Sequence, residues 1–432
     1  MKKKQVLTLS AIAIVLGSAL LIVKQTQKNS DPAALTSRAA GDTLFASFPA
    51  TEIANIEITG ADGSVTLVKK DGKWTVAQRE NYPANSVNVN EFIRTLAELK
   101  ITRSLEAGPS FAPRFGMDEA STKPEDRGLT ATFKDASGKE LAKVSLGKNI
   151  EGSQDASPMG AMPVGRYIRN HADESGFYAV NEMFFSVSAD VTRWLAEEFI
   201  APDKIKSVSL SQKGSEAVAW KLVRDAENAE FRLEGLKLGE ALSSENVAPI
   251  KSLFSFARFE DVVTTAAAGE RADAAGKRNA IIETFDGFIY KLTITPLKPG
   301  TGPASSAPDN QLVTVSVSAN LPTERVKPEG EKPEEAKAKD EKFAARLKAL
   351  NEKLTKEQSL AGRTFELSKN TLDALLKERE TLVKKAEPTP AQSPAPAPAP
   401  GTKALEAVTQ PIEAPTAKGI KGAKKPAKRE KR

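Results

Sequence analysis

The sequence predicts an α+β protein: two tandem repeated modules of antiparallel sheet with amphipathic helices, preceded by one transmembrane helix. Three observations predict it. The stretch "VTLVKKDGKWTV", Val65 to Val76, has a strand–turn–strand pattern that returns in "WKLVRDAENAEFRL", Trp220 to Leu233. Each copy is followed by an apolar stripe at helical spacing, in "NVNEFIRTLAELK" and "SSENVAPIKSLFSFARF". The chain also opens with three lysines, Lys2 to Lys4, ahead of an uncharged run from Gln5 to Val23.

That run, from Val6 onward, would extend about 27 Å as a helix at roughly 1.5 Å per residue, close to the thickness of a bilayer core. A cleaved signal peptide is the competing reading. Such a peptide ends in a small-x-small site, whereas Lys24, Gln25, Thr26 and Gln27 follow the run here. With no cysteine in the chain, lipoprotein processing is excluded. The expectation is an uncleaved anchor over 1–24 with its N-terminus in the cytoplasm, since lysines stay on that side. Residues 25–43, rich in Ala, Ser and Asp, suit a flexible spacer.

The first module is expected over 44–200. Ile53, Ile56 and Ile58 mark a strand entry, and Asp71-Gly72 supplies a tight hairpin turn before Trp74 and Val76. Val89, Phe92, Ile93, Leu96 and Leu99 share one helical face, with Asn88 and Glu91 placed as a capping pair. A second hairpin turns at Ser137-Gly138. The module closes with a strand running into a helix that turns Val191, Trp194 and Leu195 inward.

The second module, 201–385, repeats the plan. Ile205, Val208 and Leu210 stand where Ile53, Ile56 and Ile58 stood. Val247, Ile250, Phe254 and Ala257 form the helical face, and Asp286-Gly287 turns the hairpin. Leu372, Leu375 and Leu376 close it. A charged helical insertion at about 323–359 carries a narrow stripe of Phe343, Leu347, Leu350 and Leu354. It reads as a solvated helix lying on the module, with a coiled-coil-like partner contact as the other reading.

Residues 386–432 read as a disordered Ala/Pro-rich linker and a basic tail. The net charge of +6 belongs to this tail: residues 414–432 hold eight Lys or Arg against one Glu, leaving the body nearly neutral. The tail suits an anionic envelope surface, or is simply solvated, and no nucleic-acid partner is expected.

Little in this inventory supports chemistry. The absence of cysteine removes thiolate nucleophiles, disulfides and Cys-based metal sites. The one histidine, His171, lies in "RNHADESG", a polar turn where a surface imidazole is the ordinary expectation. There is no phosphate-cradling Gly-rich loop, no Gly-x-Ser-x-Gly elbow and no calcium loop. Asp118-Glu119 and Glu197-Glu198 are adjacent in sequence and read as solvated charge. The aromatic residues fall at core phases. No catalytic, cofactor-binding or metal-binding residue is assigned, no cofactor is expected, and the chain reads as non-enzymatic. A hydrolase working through carboxylates would require two of them brought together from distant segments.

Several stretches resemble one bacterial family, domain of unknown function 4340. These are "FPATEIANIEITGADGSVTLVKKDGKWTV", the Tyr-Pro of "NYPANSVNVNEFIRTLAELK", "RFGMDE" with Met117 in a Leu place, "KVSLGK", and "GRYIRN…GFYAVNEMFFSVSADVTRWL". The resemblance would cover roughly 44–385, with the insertion a departure in the second copy. It implies a single-pass protein of the bacterial inner membrane whose bulk is periplasmic, an accessory or scaffold in the envelope, often encoded beside an ABC-type transporter. Partners would then be transporter membrane subunits or other envelope proteins. A cell-wall or polysaccharide binder is the alternative. The family carries no established catalytic residues to transfer.

Overall fold

A computed structural model describes residues 38–105, 107–152, 162–173, 176–301, 309–328 and 330–385. The expected anchor, all but the last six residues of the expected spacer, and the expected linker and tail lie outside the described residues. Among the described residues, no helix is long and apolar enough to cross a membrane.

The chain is α+β, with two large sheets that are antiparallel throughout. The first contains β1 (Asn55–Gly60), β2 (Gly63–Lys70), β3 (Lys73–Val76), β4 (Tyr82–Pro83), β5 (Arg103–Ser104), β6 (Leu129–Lys134), β7 (Glu140–Glu151), β8 (Pro163–Asn170) and β9 (Phe177–Val180). The second contains β10 (Ile205–Ser211), β11 (Val218–Val223), β12 (Arg232–Leu233), β14 (Asp261–Val263), β15 (Arg278–Thr284), β16 (Phe288–Pro296), β17 (Gln311–Ala319) and β18 (Thr364–Leu367). A small ribbon pairs β13 (Glu240–Leu242) with β19 (Val383–Lys385).

Across the first sheet the order is β4-β3-β2-β1-β6-β7-β8-β9-β5, and across the second β12-β11-β10-β15-β16-β17-β18-β14. Beyond β4, the second order repeats the first strand for strand. In both, the chain leaves a hairpin at one end of the sheet and reappears as a strand at the opposite edge. The helical segment between the two is thereby laid against the sheet, which is what its apolar stripe requires.

In the first module that segment is the Ser86–Glu98 helix, burying Val89, Phe92, Ile93 and Leu96. It begins a turn earlier than the sequence suggests: the cap is Asn85, whose Oδ1 accepts from the Asn88 N–H at 3.2 Å, and Asn88 lies inside. Glu91 is paired with Arg94 instead of closing a capping box. In the second module the expected helix is broken. A four-residue turn, Ser244–Val247, passes into a 3₁₀ segment, Ala248–Ser252. Pro249 supplies no N–H to an α-helical ladder, which accounts for the change. The closing element of the first module is likewise a 3₁₀ turn, Val191–Trp194, whereas that of the second is a true helix, Lys369–Leu376.

The inserted helix, Pro333–Gln358, lies on the second module against β17. Leu350 and Leu354 pack on the core, while Phe343 and Leu347 stay half-buried over a hollow of about 520 Å³. Much of its hold is ionic. Arg346 pairs with Asp286, Lys353 with Asp203 at 2.6 Å and Lys356 with Glu198 at 3.3 Å. Near its C-terminus Glu357 is buried, accepting from the Ala201 N–H at 2.9 Å and the Tyr290 hydroxyl at 2.8 Å.

The two modules meet edge to edge. Arg79 forms a two-pronged ion pair with Asp261 at 2.7 and 2.8 Å. The Glu80 carboxylate accepts from the Thr265 N–H at 2.9 Å. Beneath these, Phe365 lies 6.0 Å from Tyr82, 5.1 Å from Phe199 and 5.1 Å from Phe259, centroid to centroid. Buried apolar residues from both sheets consequently join in one continuous core, apart from a small separate cluster around Met117 and Phe177.

Two outcomes follow from this packing. Phe365→Ala should cost about 3–5 kcal/mol, as expected for emptying a buried aromatic site. In urea, Trp74 and Trp194 of the first sheet's module should follow the same shifted transition as Trp220 of the second; two separate transitions would show that the seam does not couple them. Burial raises the Glu357 pKa in spite of its hydrogen bonds. A carboxyl raised in the folded state binds more protons there than when unfolded, so its contribution is present at low pH and lost as pH rises through the raised value. Glu357→Gln should flatten that fall in the urea midpoint above the ordinary carboxylate range.

Candidate functional site

The linker between modules is held to the β4 edge by backbone bonds. Asn85 N–H donates to the Trp194 carbonyl at 2.7 Å, and Ala196 N–H to the Pro83 carbonyl at 3.0 Å. The chain then continues through Phe199 to Ala201 and leaves a cleft of about 700 Å³ against the 254–258 loop. Phe254 stands at φ +63°, a left-handed conformation that bulky residues rarely adopt and that costs of order 1–3 kcal/mol. The ring of Phe254 is buried, but the turn it makes throws Phe256 outward to 96% exposure. Val87, across the cleft at the start of the Ser86–Glu98 helix, is 75% exposed. The rim is charged: Arg258 pairs with Glu197 at 2.7 Å, and Glu198 is held by Lys356. An apolar floor with a charged rim has the make-up of a protein-binding surface.

A second polar constellation lies on the outer face of the first sheet. Ser145 Oγ is 2.8 Å from His171 Nε2 and 3.1 Å from Thr130 Oγ1. Thr130 also donates to Glu119 at 3.3 Å, and Lys143 does so at 3.0 Å. His171 is thus no surface imidazole; its side chain is 18% exposed. Burial, reinforced by Arg169 and Lys143, pushes its pKa down to about 4 against the weaker opposite pull of Glu119. Burial pushes Glu119 up, but the Lys143 bond and charge outweigh it and hold the carboxyl below its usual value.

This grouping contains a serine, a histidine and a carboxylate without the geometry of nucleophilic catalysis. An orienting acid belongs on Nδ1, opposite the nitrogen that faces the nucleophile. Here Glu119 approaches Nε2, the same nitrogen, at 3.8 Å, and Ser145 is wholly enclosed. Among the described residues, no group of three or more His, Asp or Glu is placed to hold a metal.

The "RFGMDE" and "KVSLGK" stretches gain a physical meaning at this point. Gly116 and Gly128 both have left-handed φ, and a Cβ on Gly128 would stand 2.3 Å from the Gly116 carbonyl oxygen. A Cβ on Gly147 would meet the Phe115 carbonyl oxygen at 2.2 Å. The loop therefore sits on the sheet at backbone contact, with Met117 buried against Phe177. These are packing motifs that deliver Glu119 to the polar cluster.

Residues 74–276 match the family described as Domain of unknown function (DUF4340). Over that span the chain is similar to DUF4340. The matched segment is narrower than the 44–385 expected from the resemblance, and it straddles the two modules. It holds all the residues that line the cleft and most of those that form the seam. No curated protein and no solved structure matches the chain.

Sequence reasoning assigned no site residue, and the structure brings forward several that it passed over. Phe256 and Phe185 depart from the expectation that the aromatics are all core, with Phe185 72% exposed. The signal was present in "LFSFARF": one helical face cannot bury its three phenylalanines and a leucine together. Ser145 and His171 are 26 residues apart and carried no local sign of their pairing.

Keeping His171 neutral stabilises the fold above its unfolded value of about 6.5, and that contribution is lost as pH falls toward about 4. The imidazole resonances should titrate near 4, and His171→Gln should reduce the loss of stability between those two pH values.

Proposed function

We propose that the chain is a non-enzymatic, membrane-anchored accessory or scaffold protein of the bacterial envelope, associated with an ABC-type transport system. The observation that carries the reading is the inter-module cleft. A strained loop presents Phe256 to solvent opposite Val87, and all of the cleft's lining falls in the DUF4340 segment. Exposed aromatics beside a desolvated floor are the residue type on which protein–protein affinity concentrates. The enclosed Ser145 and the misplaced acid at His171 support a binding role over hydrolysis. The anchor expected at 1–24 would hold the cleft near the outer face of the inner membrane, within reach of a transporter's membrane subunits.

The alternative is a cell-wall or polysaccharide binder, favoured by the basic residues of 414–432. Sedimentation with peptidoglycan, with and without 386–432, separates it from the first reading.

In the preferred reading, pull-down from detergent-solubilised membranes recovers permease subunits. Phe256→Glu should cut that recovery about tenfold or more while leaving stability within about 0.5 kcal/mol, since the side chain is exposed. Deleting 323–359 should also weaken recovery. Recovery of the bait alone would overturn the proposal.

A further inference from the structure

Between the 116–128 loop and strands β1, β6 and β7, the outer face of the first sheet leaves open a hollow of about 220 Å³. We propose that this hollow binds a phosphate-type oxyanion that still carries a proton, such as hydrogen phosphate or a phosphomonoester. Arg127, Lys143 and the hydroxyls of Thr59 and Thr132 would donate to it, and Glu119 would accept from its P–OH.

The sheet register builds the floor. Thr59 pairs with Thr130, Thr130 with Ser145 and Ser145 with Arg169, a polar row across four strands. Thr132 pairs with Lys143 in the next row on the same face. Directly opposed side chains stand about 5 Å apart, a spacing that lets neighbouring hydroxyls converge on one small ligand. The roof is equally fixed. Backbone contact at Gly128 seats the loop on the sheet and holds the adjoining Arg127 at the rim.

Charge selects an anion. Arg127 and Lys143 line the hollow beside Glu119, with Arg169 beyond Ser145; Glu57, opposite Thr132, is taken up by Lys134 at 2.7 Å, and His171 adds no charge near neutral pH. That Arg169 and Lys143 together outweigh Glu119 in depressing the imidazole pKa indicates a positive local field. Size limits the ligand: at roughly 30 Å³ per water, the hollow holds a tetrahedral oxyanion and a few waters. Glu119 then discriminates among oxyanions. Sulfate and the phosphodiester of a lipid headgroup have no proton to donate and would set an unpaired negative charge against the carboxylate. Hydrogen phosphate can donate. The Glu119 side chain is 46% exposed, so the mismatch forfeits its hydrogen bond to the ligand while water still reaches the carboxylate.

His171 is the only histidine in the chain, so its imidazole signals report on this face without ambiguity. With the full chain labelled at histidine, inorganic phosphate should produce a saturable shift. Sulfate at matched ionic strength should bind at least tenfold more weakly. Arg127→Gln should weaken phosphate at least tenfold, and Thr132→Val should weaken it without moving the unliganded spectrum. Glu119→Gln should erase the preference over sulfate. Absence of a saturable shift, an equal response in Arg127→Gln, or an equal response to sulfate would overturn the proposal. Competition from phosphatidylglycerol vesicles as strong as that of phosphate would do so as well, because a phosphodiester lacks the proton that Glu119 is held to accept.

Discussion

The contact of Phe365 with Tyr82, Phe199 and Phe259 joins what would otherwise be two separate sheets. A sheet edge exposes unpaired backbone groups and invites association with other chains. Here the β3–β4 side of the first sheet is set against the β14–β18 side of the second, and aromatic rings fill the seam. Each such ring pair adds about 0.5–1.5 kcal/mol beyond the area it buries. The Arg79–Asp261 pair above them is partly desolvated, so its net worth is small and its two-pronged geometry mainly fixes how the edges align. The cleft exists because of this alignment: its walls come from opposite modules, and its floor is the linker that the seam holds in place.

The outer face of the first sheet shows another use of the same economy. Its inner face is filled by the Ser86–Glu98 helix, so the outer face needs its own cover. The 107–128 loop provides it, and glycines at 116, 128 and 147 let the backbones approach closely enough. The cost is conformational freedom lost on folding. The result is a rigid polar surface on which Glu119, Lys143, Ser145 and His171 share hydrogen bonds, and a buried imidazole whose neutrality follows from its surroundings.

The inserted helix is attached differently. Its apolar stripe is narrow, and Phe343 and Leu347 remain half-buried, so hydrophobic burial alone would hold it weakly. Ion pairs along its length and Glu357 at its end supply the remaining contacts. Arg325 ties the approach to the helix by bonding Glu331 at 2.6 and 2.9 Å and Asp340 at 2.7 Å. The Arg325–Glu331 pair is largely enclosed, whereas exposed pairs such as Lys356–Glu198 contribute little singly and are screened by salt. Their arrangement fixes the helix's position more than it deepens the energy well.

Period and turn chemistry carried most of the fold in the sequence. The two-residue alternation at Ile56 and Ile58 and again at Val208 and Leu210, the Asp-Gly turns at 71–72 and 286–287, and the stripe from Val89 to Leu96 all specify local geometry through residues a few places apart. That is why the repeated plan of strands and helices could be read directly. Local signals misled where a single residue overrode a pattern, as Pro249 did by breaking the second helix. Contacts between distant segments left no such trace. The alignment of the two sheet edges, the meeting of Ser145 with His171 and the outward turn of Phe256 each depend on parts of the chain that become neighbours only when both sheets have formed. Burial and electrostatic field are properties of that assembled surface, so the cleft and the polar hollow were decided by tertiary structure.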